Sequence, residues 1–170
     1  MENKIFIYGV PGAGKTTYSI RLKNELGYPV VEADYLREIA QKEKSEAEDP
    51  FLYIGTKEAW KKFGELNEEN IIKGLKAVRT SMMPYVNQEI LKYPNELIME
   101  GAFLEPQQLI GKGKLLLVVT TDEEQHRKQY FIHREHSSLH EETFTAVRII
   151  QKYLIDETSQ YSVEIIENKF

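Results

Sequence analysis

Gly9-Val10-Pro11-Gly12-Ala13-Gly14-Lys15-Thr16 is the most informative segment of this sequence. It fits the pattern of a glycine, four free positions and then Gly-Lys-Ser/Thr, and it directly follows the apolar run Ile5-Phe6-Ile7-Tyr8. Glycines allow backbone dihedrals that a side chain would forbid, so successive N–H groups can turn inward toward phosphate oxygens. A helix that begins at such a loop adds its positive amino end. The stretch therefore predicts a phosphate-binding loop between a strand and a helix.

The residue types in this loop also predict which ligand it holds. Lys15 is spaced to reach the β- and γ-phosphates of ATP as a point charge, and the Thr16 hydroxyl is a ligand for Mg²⁺. We therefore predict ATP and Mg²⁺ as cofactors and Lys15 as a catalytic residue, because its charge offsets that of the transferred phosphoryl group. The predicted ATP contacts are Gly9, Pro11, Gly12, Ala13, Gly14, Lys15, Thr16 and Thr17.

Length and composition exclude several classes of protein. The 170 residues suit one domain, and we expect residues 1–170 to form a single one. With 22 Lys and Arg against 27 Asp and Glu, the net charge of −5 argues against a nucleic-acid or membrane partner. The absence of cysteine excludes disulfides and thiolate metal sites. Because neither a signal peptide nor a membrane-spanning run is present, we expect a cytoplasmic protein. We expect it to be a monomer or a homodimer.

Five short apolar runs predict parallel strands, with helical patterns between them. The runs cover residues 4–8, 29–33, 97–101, 114–120 and 163–167. We predict an α/β fold of the P-loop NTPase kinase type, with a five-stranded parallel sheet in the order 2-3-1-4-5 and helices on both faces. Residues around 122–140 are predicted to form a helical lid that closes over ATP.

Local signals predict where the helices begin and end. Gly27 is expected to end the first helix in the left-handed conformation, and Asp122 is expected to cap a later one. Thr56 is a candidate cap for a short helix around Trp60. Pro84 is expected to kink or split a long helix over residues 71–90.

Two acidic residues stand at the ends of predicted strands. Asp34 ends the second run and Glu100 ends the third, and ligands of open α/β sheets bind beyond the carboxyl ends of the strands. One carboxylate would orient an acceptor hydroxyl and take its proton, and the other would hold Mg²⁺. We assign the first role to Asp34 and the second to Glu100. A plain helix cap is the alternative for Asp34, and a strand-end ion pair is the alternative for Glu100.

The six arginines are few enough to be assessed singly. Arg127 and Arg134 are seven residues apart and so share a helix face, from which both are predicted to contact phosphates and stabilise the transition state. Arg37 follows Asp34 by three residues and is predicted to bind an anionic acceptor. Arg79 lies beside the apolar stripe of the long helix and is given the same role. The predicted acceptor-binding residues are thus Asp34, Arg37, Arg79 and Glu100.

Four segments together resemble small-molecule P-loop kinases. Residues 34–37 are similar to the Asp-x-x-Arg that follows the second strand in a group of these kinases. Residues 98–106, 126–134 and 147–154 resemble the 2-phosphoglycerate kinases, although Phe103 stands where that family has histidine. The resemblance implies an ATP- and Mg²⁺-dependent kinase for a small phosphorylated hydroxyl compound such as 2-phosphoglycerate. It also implies that Asp34 lies by the acceptor hydroxyl and Arg37 by its anionic groups.

Other functions stay open at the level of sequence. A GTPase is disfavoured, because no Asp-x-x-Gly segment or Asn-Lys-x-Asp base reader stands in a suitable place. A nucleoside, nucleotide or toxin-like sugar-nucleotide kinase is one alternative to a kinase of phosphorylated metabolites. A non-catalytic ATP-binding regulator is the other, and the candidate base Asp34 weighs against it.

Overall fold

A five-stranded, all-parallel sheet forms the core of the computed structural model, which describes residues 3–169. Its strands lie in the order β2-β3-β1-β4-β5, as predicted. They are β1 (Asn3–Tyr8), β2 (Val30–Glu32), β3 (Glu96–Glu100), β4 (Lys114–Val119) and β5 (Val163–Glu167). β2 is shorter than predicted, because Ala33 already begins a 3₁₀ turn.

Helices cover both faces of the sheet. They are α1 (Lys15–Leu26), α2 (Leu36–Glu43), α3 (Glu68–Ile90), α4 (Pro106–Leu109), α5 (Glu123–Phe131) and α6 (Ser138–Glu157). Alternate residues of β1 face opposite sides: Ile7 packs with Tyr18 and Leu22 of α1, whereas Phe6 and Tyr8 face the larger core formed with α3 and α6. Within residues 3–169, no helix is both long and apolar enough to cross a membrane.

Two of the four predicted helix signals, Gly27 and Asp122, are confirmed. Gly27 follows α1 with φ 73°, and its N–H donates to the carbonyl of Lys23. The Asp122 carboxylate accepts a hydrogen bond of 2.7 Å from the backbone N–H of Gln125 at the start of α5. Pro84 does not split α3, which is one helix of 23 residues. Thr56 caps nothing: the 3₁₀ turn at Ala59–Lys62 has Glu58 before it and no side-chain cap.

The segment predicted to form a lid consists of two helices and a link. α5 ends at Phe131, residues 132–137 form a turn and an irregular stretch, and α6 begins at Ser138. The Ser137 hydroxyl caps α6 by accepting a hydrogen bond from the backbone N–H of His140. Closure of this segment over a ligand remains a prediction.

A close helix contact fixes the long segment between α2 and α3. Gly74 of α3 lies against the 3₁₀ turn at Ala59–Lys62, where an added Cβ would come within 2.6 Å of the Trp60 backbone nitrogen. Only glycine allows this approach, since the nearest atoms are backbone atoms that cannot move aside. The contact orients residues 55–57, which come just before the turn.

We predict that Gly74→Ala lowers the free energy of unfolding by about 2 kcal/mol, because a methyl group overpacks this contact. Thr80→Ala, on the exposed side of the same helix, is the matched control and changes stability by about 0.5 kcal/mol or less. Urea denaturation measures both. Equal stability of Gly74→Ala and wild type would contradict the described packing.

Candidate active site

A cleft of about 460 Å³ opens beyond the carboxyl ends of β1, β2 and β3. This is where parallel α/β sheets bind ligands, because the loops that follow the strands diverge there. The cleft is lined by Pro11, Gly12, Lys15, Thr16, Glu32, Asp34, Arg37, Gly55, Thr56, Lys57, Glu100, Gly101, Ala102, Phe103 and Arg134. Four of these side chains are cationic and three are carboxylates, so the cleft is highly polar.

The loop that joins β1 to α1 forms one wall of the cleft. Gly12 has φ 77°, and an added Cβ would lie 3.0 Å from the Cα of Tyr130 in α5. Because the loop needs this left-handed conformation and this close neighbour, glycine is required there. The backbone N–H of Ala13 donates to the carbonyl of Val10, which tightens the turn. The cradle fits a phosphate chain, as the sequence pattern predicts.

The eight predicted ATP contacts separate into two groups. Pro11, Gly12, Lys15 and Thr16 line the cleft. Gly9, Ala13, Gly14 and Thr17 lie in the same loop or at the start of α1 without lining the cleft. Ala13 faces the protein, where its carbonyl accepts a hydrogen bond from the Thr120 hydroxyl.

Lys15 occupies a site that disfavours its own charge. Its ammonium donates a hydrogen bond of 3.0 Å to the carbonyl of Val10. Burial lowers the pKa of Lys15, and the carboxylates of Glu100 and Asp34 only partly oppose that shift. An anion bound in the cleft would stabilise the charged form, so the site suits a negatively charged ligand.

Thr16 and Glu100 meet across the cleft. The Thr16 hydroxyl donates a hydrogen bond of 2.8 Å to Oε1 of Glu100, which joins the first turn of α1 to the end of β3. Burial raises the pKa of the Glu100 carboxyl group, while Lys15 and the Thr16 hydrogen bond act in the opposite direction. One hydroxyl and one carboxylate suit Mg²⁺, which usually takes few protein ligands and completes its shell with phosphates and water.

Asp34 and Arg37 form the opposite wall. Asp34 lies in the 3₁₀ turn before α2 and caps no helix, so the cap alternative is wrong and its carboxylate stays 78% exposed. The Arg37 guanidinium is held by the carbonyls of Phe51 and Leu52 and lies over the Phe103 ring. Its Nε is 3.9 Å from the Asp34 carboxylate. The pair thus presents a largely exposed carboxylate in a long ion pair with an oriented cation.

Only one of the two arginines predicted on the lid reaches the cleft. Arg134 lines it, stacks on the Tyr130 ring at 4.1 Å and donates to the Tyr130 carbonyl. Arg127 instead forms an ion pair of 2.6 Å with Glu141 of α6 and stacks on Phe144. Helical spacing predicted a shared face, but α5 ends at Phe131 and the chain changes direction between the two. Arg127 therefore does not line the cleft, contrary to the prediction that it contacts phosphates there.

Arg79 is also absent from the cleft, contrary to our prediction. Its side chain is 1% exposed and pairs with Glu157 of α6 through hydrogen bonds of 2.8 and 3.1 Å. The same guanidinium approaches the carbonyl of Leu104. The carboxylate of Glu157, 78 residues away in the chain, determines the orientation of Arg79. This ion pair joins α3 to α6.

His126 supports the phosphate-binding loop from behind. Its Nε2 is 3.0 Å from the carbonyl of Pro11, and its Nδ1 is 3.1 Å from the Arg148 guanidinium. Because Arg148 can only donate, Nδ1 accepts and the proton lies on Nε2. Burial lowers the pKa of His126, which favours this neutral form.

Several cleft residues were missed by the sequence analysis. They are Glu32, Gly55, Thr56, Lys57, Gly101, Ala102 and Phe103. Glu32 and residues 101–103 directly flank predicted site residues, so their positions were accessible from the sequence. Residues 55–57 lie in irregular chain, where no periodicity indicates which way a side chain points.

We predict that Glu157→Gln lowers the free energy of unfolding by about 3 kcal/mol, because it leaves the buried Arg79 charge without its counter-charge. Glu142→Gln, on the exposed side of the same helix, is the matched control and has an effect near zero. Thermal and urea unfolding measure both variants. A Glu157→Gln protein of wild-type stability would contradict the assignment of Arg79 to a structural ion pair.

Comparison with known proteins gives related findings for sequence and for fold. A family model described as an AAA domain matches residues 8–78. A mevalonate-3-phosphate 5-kinase of Thermoplasma acidophilum is 30% identical in an alignment of 131 positions that covers 72% of this chain. The chain spans 64% of the length of that relative. The resemblance to 2-phosphoglycerate kinases in particular is not confirmed by these matches.

Solved structures show the same architecture. The shikimate kinase of Acinetobacter baumannii, in complex with shikimate, superposes with a TM-score of 0.58 at 18% identity, over 100% of this chain and 86% of that one. A deoxyadenosine kinase of M. mycoides with bound dATP gives 0.52 at 15% identity, over 98% and 91%. The fold of this protein is the P-loop kinase fold.

Proposed function

We propose that this protein transfers the γ-phosphoryl group of ATP, with Mg²⁺, to a hydroxyl of a small anionic metabolite. The observation that carries the proposal is the hydrogen bond of 2.8 Å between Thr16 and Glu100 beside Lys15. It joins the phosphate-binding loop to the carboxylate of Glu100 at the end of β3. The exposed carboxylate of Asp34 lines the same cleft and supplies the base that a non-catalytic ATP-binding protein would not need.

The nucleotide is held mainly by its phosphates. The loop amides and the Lys15 ammonium neutralise the charge of the triphosphate, and they do so in a site where burial strengthens electrostatic attraction. Thr16 and Glu100 would hold Mg²⁺, which would offset the negative charge that develops during transfer. Arg134 lies on the other side of the cleft, where a guanidinium suits the phosphate groups of the bound substrates.

Asp34 acts on the acceptor. Its carboxylate orients the acceptor hydroxyl and takes its proton as the acceptor oxygen forms a bond to the γ-phosphorus. The bond from that phosphorus to the bridging oxygen breaks, and ADP leaves with the electron pair. This role suits Asp34 because its carboxylate is exposed in the cleft and does not cap a helix.

The acceptor is a phosphorylated hydroxy acid. Arg37 supports this class, since its guanidinium is fixed by the Phe51 and Leu52 carbonyls and is therefore oriented before an anion arrives. The relative from Thermoplasma acidophilum is named for mevalonate 3-phosphate, and the sequence motifs resemble those of 2-phosphoglycerate kinases. Both compounds carry a phosphate, a carboxylate and a free hydroxyl.

We predict that Asp34→Asn lowers kcat by about 100-fold or more, because the variant has no base at this position. Its affinity for Mg·ATP stays within about twofold of wild type, since the phosphates are held elsewhere. ADP release is measured with a panel of phosphorylated hydroxy acids, including 2-phosphoglycerate and mevalonate 3-phosphate, and with nucleosides and sugar nucleotides. Asp156→Asn, at an exposed position of α6, is the matched control and keeps wild-type activity.

Three outcomes would contradict the proposal in different ways. An affinity for Mg·ATP that falls as much as the rate would remove the base role from Asp34. Turnover with nucleosides or sugar nucleotides alone would assign the enzyme to a different acceptor class. Tight ATP binding without ADP release on any acceptor would favour a regulatory ATP-binding protein.

A further inference from the structure

Lys57 is a cleft cation that forms no ion pair within residues 3–169. It follows Gly55 and Thr56 in the irregular chain before the turn at Ala59–Lys62 and lines the cleft. Its ammonium makes no hydrogen bond or ion pair with any group in residues 3–169; it lies over the face of the Tyr130 ring, 5.7 Å from the ring centroid. The nearby lysine Lys61 pairs with Glu58 instead.

Arg134 shares that aromatic ring. Its guanidinium lies 4.1 Å from the centroid of Tyr130, and its NH1 donates to the Tyr130 backbone carbonyl. It forms no ion pair with a carboxylate of the described chain. Two cations from separate loops therefore meet at one ring. Burial lowers the pKa of Lys57 and the charge of Arg134 lowers it further, while the Glu58 carboxylate partly opposes the shift.

This arrangement is held in place by the backbone. The Lys57 carbonyl accepts a hydrogen bond of 3.1 Å from Nε1 of Trp60, and the backbone N–H of Ala59 donates to the Gly55 carbonyl. The contact of Gly74 with the Trp60 backbone fixes the same turn. Two half-buried cations that form no ion pair with a carboxylate of residues 3–169 cost free energy, and a bound anion would offset that cost.

We propose that Lys57 and Arg134 together bind a phosphate group of the acceptor, distinct from the phosphates of ATP. The inference rests on the proposed function and names the side chains that select a phosphorylated acceptor. A dianionic phosphate satisfies two convergent cations, whereas a single carboxylate leaves part of their charge uncompensated. Arg37, beside Asp34, remains available for the second anionic group of the same molecule.

The test uses inorganic phosphate as the probe, titrated calorimetrically into protein saturated with Mg²⁺ and a non-hydrolysable ATP analogue. With the nucleotide site filled, wild type binds phosphate, and Lys57→Met weakens that binding by about tenfold or more. Lys57→Arg retains most of it, because the charge is kept. Lys61→Met is the matched control and binds phosphate like wild type, since its ion pair with Glu58 lies outside the cleft.

The outcomes separate this inference from the proposed function. If the nucleotide binds but phosphate does not, or if Lys57→Met binds phosphate like wild type, the inference is overturned. It is also overturned if Lys57→Met weakens binding of the ATP analogue as strongly as binding of phosphate, because the cation pair then serves the nucleotide. If the analogue does not bind at all, the proposed function fails, and the same titration of the free protein still decides whether Lys57 binds an anion.

Discussion

The hydrogen bond between Thr16 and Glu100 is the contact on which the rest of the cleft depends. It joins the first turn of the helix after the phosphate-binding loop to the end of a strand 84 residues later in the chain. β1 and β3 are neighbours in the sheet, with Ile7 paired to Glu100, so the register of two strands delivers both groups to one place. The buried charge of Lys15 completes the arrangement, because the Glu100 carboxylate partly offsets its loss of solvation.

The wall of the cleft that contains Arg37 and Lys57 has a different physical cause. Residues 50–63 carry no regular α-helix or strand, yet they hold Arg37 through backbone carbonyls and present Lys57 to the cleft. Their position depends on the close contact between Gly74 and the Trp60 backbone. The wall with Lys15, Thr16 and Glu100 thus follows from the parallel sheet, and the wall with Arg37 and Lys57 follows from packing against one long helix. In P-loop kinases this division would allow the acceptor to change while the handling of ATP stays the same.

The parts of this molecule that were predictable from sequence are those with local or periodic causes. The phosphate-binding loop, the five strands and the N-cap at Asp122 each depend on residues a few positions apart. The convergence of Asp34 and Glu100 was also predictable, because parallel strands end at one edge of a sheet. The arginines were harder. Arg79 and Arg127 point toward Glu157 and Glu141 on α6, and no local pattern indicates which distant carboxylate an arginine will meet. Lys57 was missed for a related reason, since irregular chain has no periodicity from which to infer a direction.

We propose that one cleft holds Mg·ATP through the loop amides, Lys15, Thr16 and Glu100. Equilibrium dialysis of the protein against labelled ATP, with Mg²⁺ and then with EDTA, tests it most directly. We expect the protein to retain one ATP per chain with Mg²⁺ and less ATP in EDTA. We expect the Lys15→Ala variant to lose most of this retention while its fold is preserved. No retained ATP, or equal retention by wild type and Lys15→Ala, would contradict it.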